Sequence, residues 1–272
     1  MKKAGLLLPE DSTMQMKNIL QTLLLLLLFS QSLMATDMPR DSIDIIKAEA
    51  DSAYANEDFA KAEELYTLLA QQGESAAVYY NLGCTHYRQD NMAKAVLWFE
   101  RAAQLAPSDE DIRFNLAMAR GKTIDRIIPR HEMFFVSVWK SVMHSHSVTQ
   151  WAYMAIAAFI LALMLVAMYV YCSSVALRKT GFFGAIVAVV ICIVFNMLAY
   201  NLRNYNRTHT AGIVMEPAVT VRSTPTASGT DLFVIHEGTR VEIKDNSMRD
   251  WAEIQIADGK VGWIEKKTYE AI

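Results

Sequence analysis

The sequence lacks a charge excess of either sign, because 26 lysines and arginines stand against 29 acidic residues and leave a formal charge of −3. Nucleic-acid binding needs a basic field to meet the phosphates, so this near balance argues against nucleic acid as a partner. Cysteine is also scarce, with only Cys84, Cys172 and Cys192. Two of these lie in apolar runs and the third in a helical pattern, so no disulfide framework can be identified.

Charge is absent altogether from two long apolar runs, residues 151–172 and 181–200, which contain no Asp, Glu, Lys, Arg or His. About 20 apolar residues in a helix cross a hydrocarbon core about 30 Å thick, and unpaired backbone groups there are costly, so both runs predict transmembrane helices. The predicted loop, residues 173–180, is too short for a domain. The two spans therefore form an antiparallel hairpin, and the segments before and after it lie on one side of the membrane.

The N-terminal region predicts an export signal. Lys17 precedes an apolar run at residues 19–29, and small residues follow as far as Ala35. This order is typical of a secretory signal peptide over residues 1–35, with residues 1–13 as an upstream extension; an uncleaved anchor is the alternative. Export of the following segment would place the loop with Arg178 and Lys179 in the cytoplasm and both flanking segments on the periplasmic side.

Residues 36–123 carry a helical repeat. One copy follows the spacing of the 34-residue tetratricopeptide pattern, in which small residues let two helices approach and aromatic residues fill the gaps. Its pattern positions are Tyr79, Leu82, Gly83, Tyr87, Ala95, Phe99, Ala102 and Pro107. An earlier copy places Ala50, Tyr54, Ala62 and Tyr66 in register, and a half repeat begins around Asn115. Since about three repeats are needed for independent stability, we expect this array to lean on the segment that follows.

Residues 124–150 form a linker with an apolar cluster around Phe134, Phe135 and Trp139. Aromatic residues this close to a span predict an interfacial helix, and packing against the last repeat is the alternative. His144 and His146 lack a nearby Cys or acidic partner, so we expect no metal site. Within the spans Asn196 is the one strongly polar side chain, and we expect it to bond to Tyr153, Tyr169 or Ser173 rather than to form a transport site.

After a linker at residues 201–211, the period of the pattern changes from 3.6 to 2. Short alternating segments over residues 212–272 predict five strands of a small closed or half-open barrel. They are marked by Val219 and Val221, by Val241 and Ile243, by Ala252, Ile254 and Ile256, and by Val261 and Trp263. Gly238 and the Asp258-Gly259 pair predict tight turns, the latter a two-residue hairpin.

The barrel segment resembles a bacterial SH3 domain. The resemblance is carried by Val219-Thr-Val-Arg222-Ser223-Thr-Pro225, Glu237-Gly238-Thr239, Trp251 and Asp258-Gly259-Lys-Val-Gly262-Trp263-Ile264. The order of signal, repeat pair, two close spans and terminal SH3 module, together with Asn115-Leu116, Asp125, Ile127 and Trp139, is similar to that of the E-type proteins of bacterial aerotolerance (Bat) operons. The resemblance implies a non-catalytic membrane component encoded with MoxR-type ATPases and von Willebrand A-domain proteins.

Two surfaces are candidate binding sites. The concave face of the repeats would present Tyr80, Asn81, Tyr87, Arg88 and Asn115 to a peptide. Asn81 would bond the peptide, and Arg88 or Arg113 would meet a carboxylate. The alternative is that these residues only build the repeat. Trp251 and Trp263 would form a ligand face on the barrel, or serve only in packing.

The predicted fold is therefore multidomain α + β, with α-helical tetratricopeptide repeats, a transmembrane hairpin and an SH3-like barrel. No nucleophile and base, cofactor site or metal cluster can be assembled from the sequence, so we expect no enzyme and no cofactor. The predicted function is a scaffold in the bacterial cytoplasmic membrane that presents interaction modules in the periplasm, within an aerotolerance or envelope stress complex. Its predicted partners are membrane proteins of the same operon, peptidoglycan and the lipid bilayer. A peptidoglycan-binding anchor or sensor is the alternative.

Overall fold

The computed structural model describes residues 40–128, 133–208 and 210–272, so the predicted signal peptide lies outside the described residues. The chain divides into compact units at residues 1–44 and 45–272, and the described part of the first is only the start of helix α1. All later elements belong to the second unit. The predicted fold class is confirmed: helical repeats, two long apolar helices and an antiparallel β domain follow one another along the chain.

Five helices build the repeat region: α1 (Arg40–Ala55), α2 (Phe59–Gln72), α3 (Ala76–Arg88), α4 (Met92–Leu105) and α5 (Glu110–Lys122). The turns inside the two helix pairs have the same geometry. Glu57 and Asp90 both take positive φ, at 63° and 62°. Asp58 and Asn91 follow them and cap the next helix by accepting from the N–H three residues on, at 3.1 and 3.2 Å. The repeat is thus visible in the backbone as well as in the spacing of residues.

The close approach of the helices in the second pair depends on Gly83. A Cβ at this position would lie 2.5 Å from the ring of Phe99, which is itself 1% exposed. The repeat pattern places Tyr87 at an aromatic position that fills the gap between the helices. In the structure the neighbouring His86 is the buried residue, at 2% exposure. His86 faces Gln89 and Glu63, whereas Tyr87 is only half-buried.

Two helices, α7 (Val148–Tyr171) and α8 (Val175–Thr208), are long and apolar enough to cross a membrane. They pack through small residues, and Gly181 marks the tightest point, because a Cβ there would lie 2.8 Å from the Leu165 carbonyl oxygen and the Tyr169 nitrogen. Asn196 does not reach the partner helix as expected. It donates to the carbonyl oxygen of Cys192 on its own helix, at 2.9 Å.

The bounds of α8 differ from the sequence prediction at both ends. Only residues 172–174 separate the helices, so most of the predicted loop 173–180 is helical, including Arg178 and Lys179. Most of the predicted linker 201–211 is helical as well. The reason is local: no proline or glycine interrupts residues 182–208 except Gly184, and Leu198 and Leu202 keep the four-residue spacing that buries them in one cluster.

Helix α6 (Phe134–Met143) packs against the end of α8, with the ring of His144 lying 5.0 Å from that of Tyr205. Most apolar side chains of α6 stay exposed, with Phe134 at 73% and Phe135 at 83%. The structure therefore does not show the predicted alternative, in which these side chains pack on the last repeat.

The β domain contains seven strands rather than the five predicted: β1 (Ala211–Val214), β2 (Ala218–Arg222), β3 (Asp231–His236), β4 (Arg240–Asp245), β5 (Trp251–Gln255), β6 (Val261–Glu265) and β7 (Tyr269–Ala271). They form one sheet in the order β3-β2-β6-β5-β4-β1-β7. Side chains from β1 to β6 share a single core, so the sheet curls around it. The strands β3 and β7 form its edges, which makes this a half-open barrel.

Two local features of the barrel differ from the prediction. The β5–β6 connection spans residues 256–260, and only Gly259 takes positive φ, at 94°. It is thus a five-residue turn rather than a two-residue hairpin. In β6 the inward residues are Gly262 and Ile264, while Val261 and Trp263 lie on the outer face. Gly262 is suited to the inside, because a Cβ there would lie 2.5 Å from Val221.

The barrel docks on the repeats. Ile213 of β1 is fully buried in the same cluster as Leu97 and Phe99 of α4, and Met215 and Ile272 pack against that cluster. At its edge Arg101 of α4 donates to Glu270 at 2.9 Å and to the Ala271 carbonyl oxygen at 2.6 Å. The outer side of the last complete repeat is therefore covered by strands β1 and β7.

A carboxylate after α5 fixes the other edge of this interface. Asp125 accepts from the His236 backbone N–H at 2.7 Å and from the Thr239 hydroxyl at 2.6 Å, and it bonds the His236 ring at 2.8 Å. Burial acts to raise the pKa of Asp125, but these hydrogen bonds outweigh it and hold the pKa below its usual value. We expected the repeats to lean on the segment that follows them, but in the structure the barrel, through Ile213, Met215 and Ile272, packs against the repeat cluster.

We expect Gly181→Val to open the α7–α8 hairpin, because the added atoms meet backbone rather than a movable side chain. The midpoint of unfolding in detergent micelles should fall, with a loss of about 2 kcal/mol. Gly184→Ala is the matched control, since its Cβ would touch only the Leu165 side chain at 3.3 Å. Equal midpoints for the two variants would contradict the tight crossing.

We expect Asp125→Ala to weaken the docking of the barrel by about 2 kcal/mol at neutral pH, because the buried Thr239 hydroxyl and the His236 backbone N–H lose their acceptor. Since the pKa of Asp125 is depressed in the folded state, its contribution is present at neutral pH and disappears as the pH falls below the usual value of 3.8. Unfolding of the full chain should therefore show a difference from wild type that shrinks in acid. Glu64→Ala, at an exposed carboxylate, should have little effect.

Candidate functional site

The first helix of each repeat contributes to a groove face, and its centre is Tyr80 of α3. The Tyr80 hydroxyl accepts from the Asn115 amide of α5 at 3.0 Å and lies beside the Cys84 thiol. Burial and the neighbouring thiol raise the pKa of Tyr80 to about 12, so the hydroxyl stays neutral. Asn115 also donates to the Asp111 carbonyl oxygen at 2.9 Å. Both donors of its amide are thus used inside the protein, which leaves its oxygen for a ligand.

Asn81 belongs to a second hydrogen-bonded group. Its side chain lies beside the hydroxyl of Tyr66, which donates to Asp51 at 2.6 Å. Burial and the Asp51 carboxylate raise the pKa of Tyr66. Tyr66 lies in α2 and Asp51 in α1, so Asn81 connects the two repeats. The structure therefore gives the Asn81 side chain a neighbour in the preceding repeat in addition to any ligand that it could contact.

The structure joins Tyr80 to Asn115, places Asn81 beside Tyr66, and gives Arg88 and Tyr87 other neighbours. Arg88 pairs with Glu57 at 3.3 Å and lies 5.0 Å from the ring centre of Phe59, both in the preceding repeat. The Tyr87 ring is covered by the ammonium group of Lys122 at 4.1 Å. A ligand carboxylate at Arg88 would compete with Glu57, although the exposed pair is weak enough to exchange.

Phe114 was missed by the sequence prediction. It precedes Asn115 in α5 and is 68% exposed, although the equivalent Tyr80 packs its ring 5.8 Å from that of Phe99. The half repeat could have indicated this exposure. It lacks the second helix that would carry the counterpart of Phe99 and cover the ring. An exposed aromatic ring beside a free amide oxygen is a suitable anchor for a bound peptide.

The residues with potential for nucleophilic chemistry do not meet. Cys84 faces Tyr80, whereas His86, two residues later, faces Glu63 and Gln89. Burial lowers the pKa of His86 and raises that of Cys84. In the described ranges no group of three or more His, Cys, Asp or Glu side chains is placed to hold a metal ion.

On the barrel, Trp251 and Trp263 share the outer face of β5 and β6. Trp251 pairs with Glu265 and Trp263 with Glu253, so the tryptophans are diagonal neighbours on one side of the sheet. Both are half-buried and neither belongs to the buried core. Arg222 of β2 pairs with Trp263 on this face. This arrangement favours a surface role over core packing for the two rings.

Comparison with known proteins identifies both modules. Residues 47–110 match a tetratricopeptide repeat model, and residues 217–269 match a bacterial SH3 domain model. A search of curated proteins found no match for the chain. Repeats and domains of these two kinds are interaction modules rather than catalytic ones, and they support protein binding and peptidoglycan binding as the classes of function.

We expect Cys84 to alkylate slowly at neutral pH, because its raised pKa leaves little thiolate. In a Cys172→Ser, Cys192→Ser background the rate should keep rising above pH 9, the ordinary thiol value. Tyr80→Phe should slow the reaction further, since the Tyr80 hydroxyl bond lowers the thiol pKa. A rate that levels off below pH 8 would contradict this environment.

Proposed function

We propose that this protein is a non-catalytic, membrane-anchored scaffold whose repeat groove binds a partner protein. The observation that carries the proposal is that the barrel covers one side of the repeats and leaves the groove side uncovered. The barrel covers α4 and the segment after α5, whereas no hydrogen bond or ion pair in the described ranges joins the barrel to α3. The groove around Tyr80, Phe114 and Asn115 is thus left for another chain.

The two apolar helices support membrane anchoring, and the bacterial SH3 match supports a place in the cell envelope. In this proposal α7 and α8 cross the cytoplasmic membrane, the short connection between them is cytoplasmic, and repeats and barrel share the periplasmic side. The antiparallel packing of α7 and α8 supports the shared side, because a hairpin returns the chain to the face that it left.

The partner class follows from the resemblance in domain order to the E-type proteins of aerotolerance operons. We assign the groove to a membrane protein encoded beside this one, of the von Willebrand A-domain kind, with a MoxR-type ATPase acting indirectly in an envelope stress complex. Phe114 would supply the apolar anchor and the Asn115 oxygen would accept a backbone N–H of the partner.

Loss of the Phe114 ring tests the groove. We expect Phe114→Ala to weaken capture of the operon-encoded von Willebrand A-domain proteins about 30-fold, as for an anchor contributing about 2 kcal/mol. Binding of the full chain in detergent to each purified candidate measures this. Gln104→Ala, at an exposed position of α4, is the matched control and should bind as wild type does. Adding Asn81→Ala and Arg88→Ala tests the residues predicted from sequence.

The outcome that contradicts the proposal is unchanged capture by Phe114→Ala and by the variant that combines it with Asn81→Ala and Arg88→Ala.

The outer face with Trp251 and Trp263 favours a second function, a peptidoglycan-binding anchor or sensor. Cross-linking in cells separates the two: protein bound at the groove supports the scaffold, and wall fragments bound at the barrel support the anchor.

A further inference from the structure

A cleft of about 1070 Å³ lies where the end of the repeats, the apolar helices and the β domain meet. Its walls come from the end of α5 and the segment after it, from α6, from the end of α8, from β4 with the turn before it, and from the β5–β6 turn. No residue of the groove or of the tryptophan face lines it. The cleft is therefore separate from both candidate sites described above.

The cleft is cationic. Five basic side chains line it against the two carboxylates of Asp125 and Glu242; the basic residues are Arg120, Arg126, Lys140, Arg240 and Lys244. Asp125 is engaged with His236 and Thr239, and Glu242 with Lys244 at 3.2 Å. Glu100, just behind the wall, bonds Arg120 and lies 3.7 Å from Arg240, so one carboxylate serves two guanidinium groups. A positive excess remains, in a protein whose net charge is −3.

The position of the cleft along the chain matches the depth of lipid headgroups. Tyr205, which lines it, follows the end of the apolar run at Tyr200 by five residues of helix, a rise of about 7.5 Å. Headgroups occupy roughly 5–7 Å on each side of the hydrocarbon. Lys140 and Ser137, which also line it, belong to α6, whose Phe134 and Phe135 rings are exposed and suited to the interface.

From this charge and this depth we infer that the cleft binds the phosphate of an anionic phospholipid, of the phosphatidylglycerol kind, from the outer leaflet. Arg126 is exposed and lines the cleft, so its guanidinium can contact a phosphate oxygen directly. Lys140 adds to the field from α6, and the acyl chains would lie against the exposed apolar side chains of α6 and α8. An acidic peptide could satisfy the charges but would not use these apolar surfaces.

The inference rests on the membrane anchoring in the proposed function, so anchoring is measured first, by alkaline extraction of membranes that contain the wild-type chain. The full chain is then purified in mild detergent with phosphatidylglycerol and phosphatidylcholine at equal concentration, and the retained lipids are counted by native mass spectrometry. The variants are Arg126→Gln and Arg126→Gln with Lys140→Gln. Arg203→Gln, an exposed cation of α8 that does not line the cleft, is the matched control.

We expect wild type and Arg203→Gln to retain phosphatidylglycerol in preference to phosphatidylcholine, and the double variant to lose this preference about tenfold or more. Soluble glycerol phosphate should compete poorly, because it lacks the acyl chains. Equal retention by wild type and the double variant overturns the lipid site while leaving anchoring intact. Displacement of the lipid by a glutamate-rich peptide at low concentration overturns it in favour of a peptide site, and alkaline extraction of the wild type overturns anchoring and lipid site together. Groove capture should be the same in all four proteins.

Discussion

The structure depends on one apolar interface, in which the barrel completes a repeat array that is too short to stand alone. Two helix pairs and a single further helix leave an apolar side of α4 with no following repeat to cover it. Ile213 and Met215 of the barrel fill that place beside Leu97 and Phe99. The Asp125 and Arg101 contacts then fix the angle of docking at the two edges of this interface. Repeats and barrel consequently share one apolar cluster, and the first helices of the repeats keep their groove face outside that cluster's contacts with the barrel.

This arrangement also explains which parts could be predicted from the sequence. Helical repeats, apolar spans and alternating strands each have a period that residues a few positions apart reveal. Strand β1 has no such period, because all four of its residues are buried between β4, β7 and α4. Strand β7 is only three residues long, which is too short to show a period. The bond from Asp125 to His236 joins residues 111 positions apart, and nothing local to either residue indicates the other.

The predicted groove residues were placed by the repeat register alone. That register puts Tyr80, Asn81 and Asn115 on one face, and the structure joins Tyr80 to Asn115 by a hydrogen bond. Whether a polar side chain there is available to a ligand depends on its neighbour across the repeat, and Tyr66 for Asn81 or Glu57 for Arg88 could not be deduced from spacing. Phe114 is exposed because the half repeat has no second helix to cover its ring. Matching residues between repeats does not reveal such a missing partner.

The buried position of Ile213 among the repeat helices has a consequence for biosynthesis. The helices of the repeats are synthesised first, but part of their core is supplied more than 90 residues later, after both apolar helices. Contacts this distant in sequence form late and slowly. Until strand β1 arrives, the apolar side of α4 remains open to chaperones, to proteases and to other nascent chains. The repeat core is thus complete only after the barrel has been made.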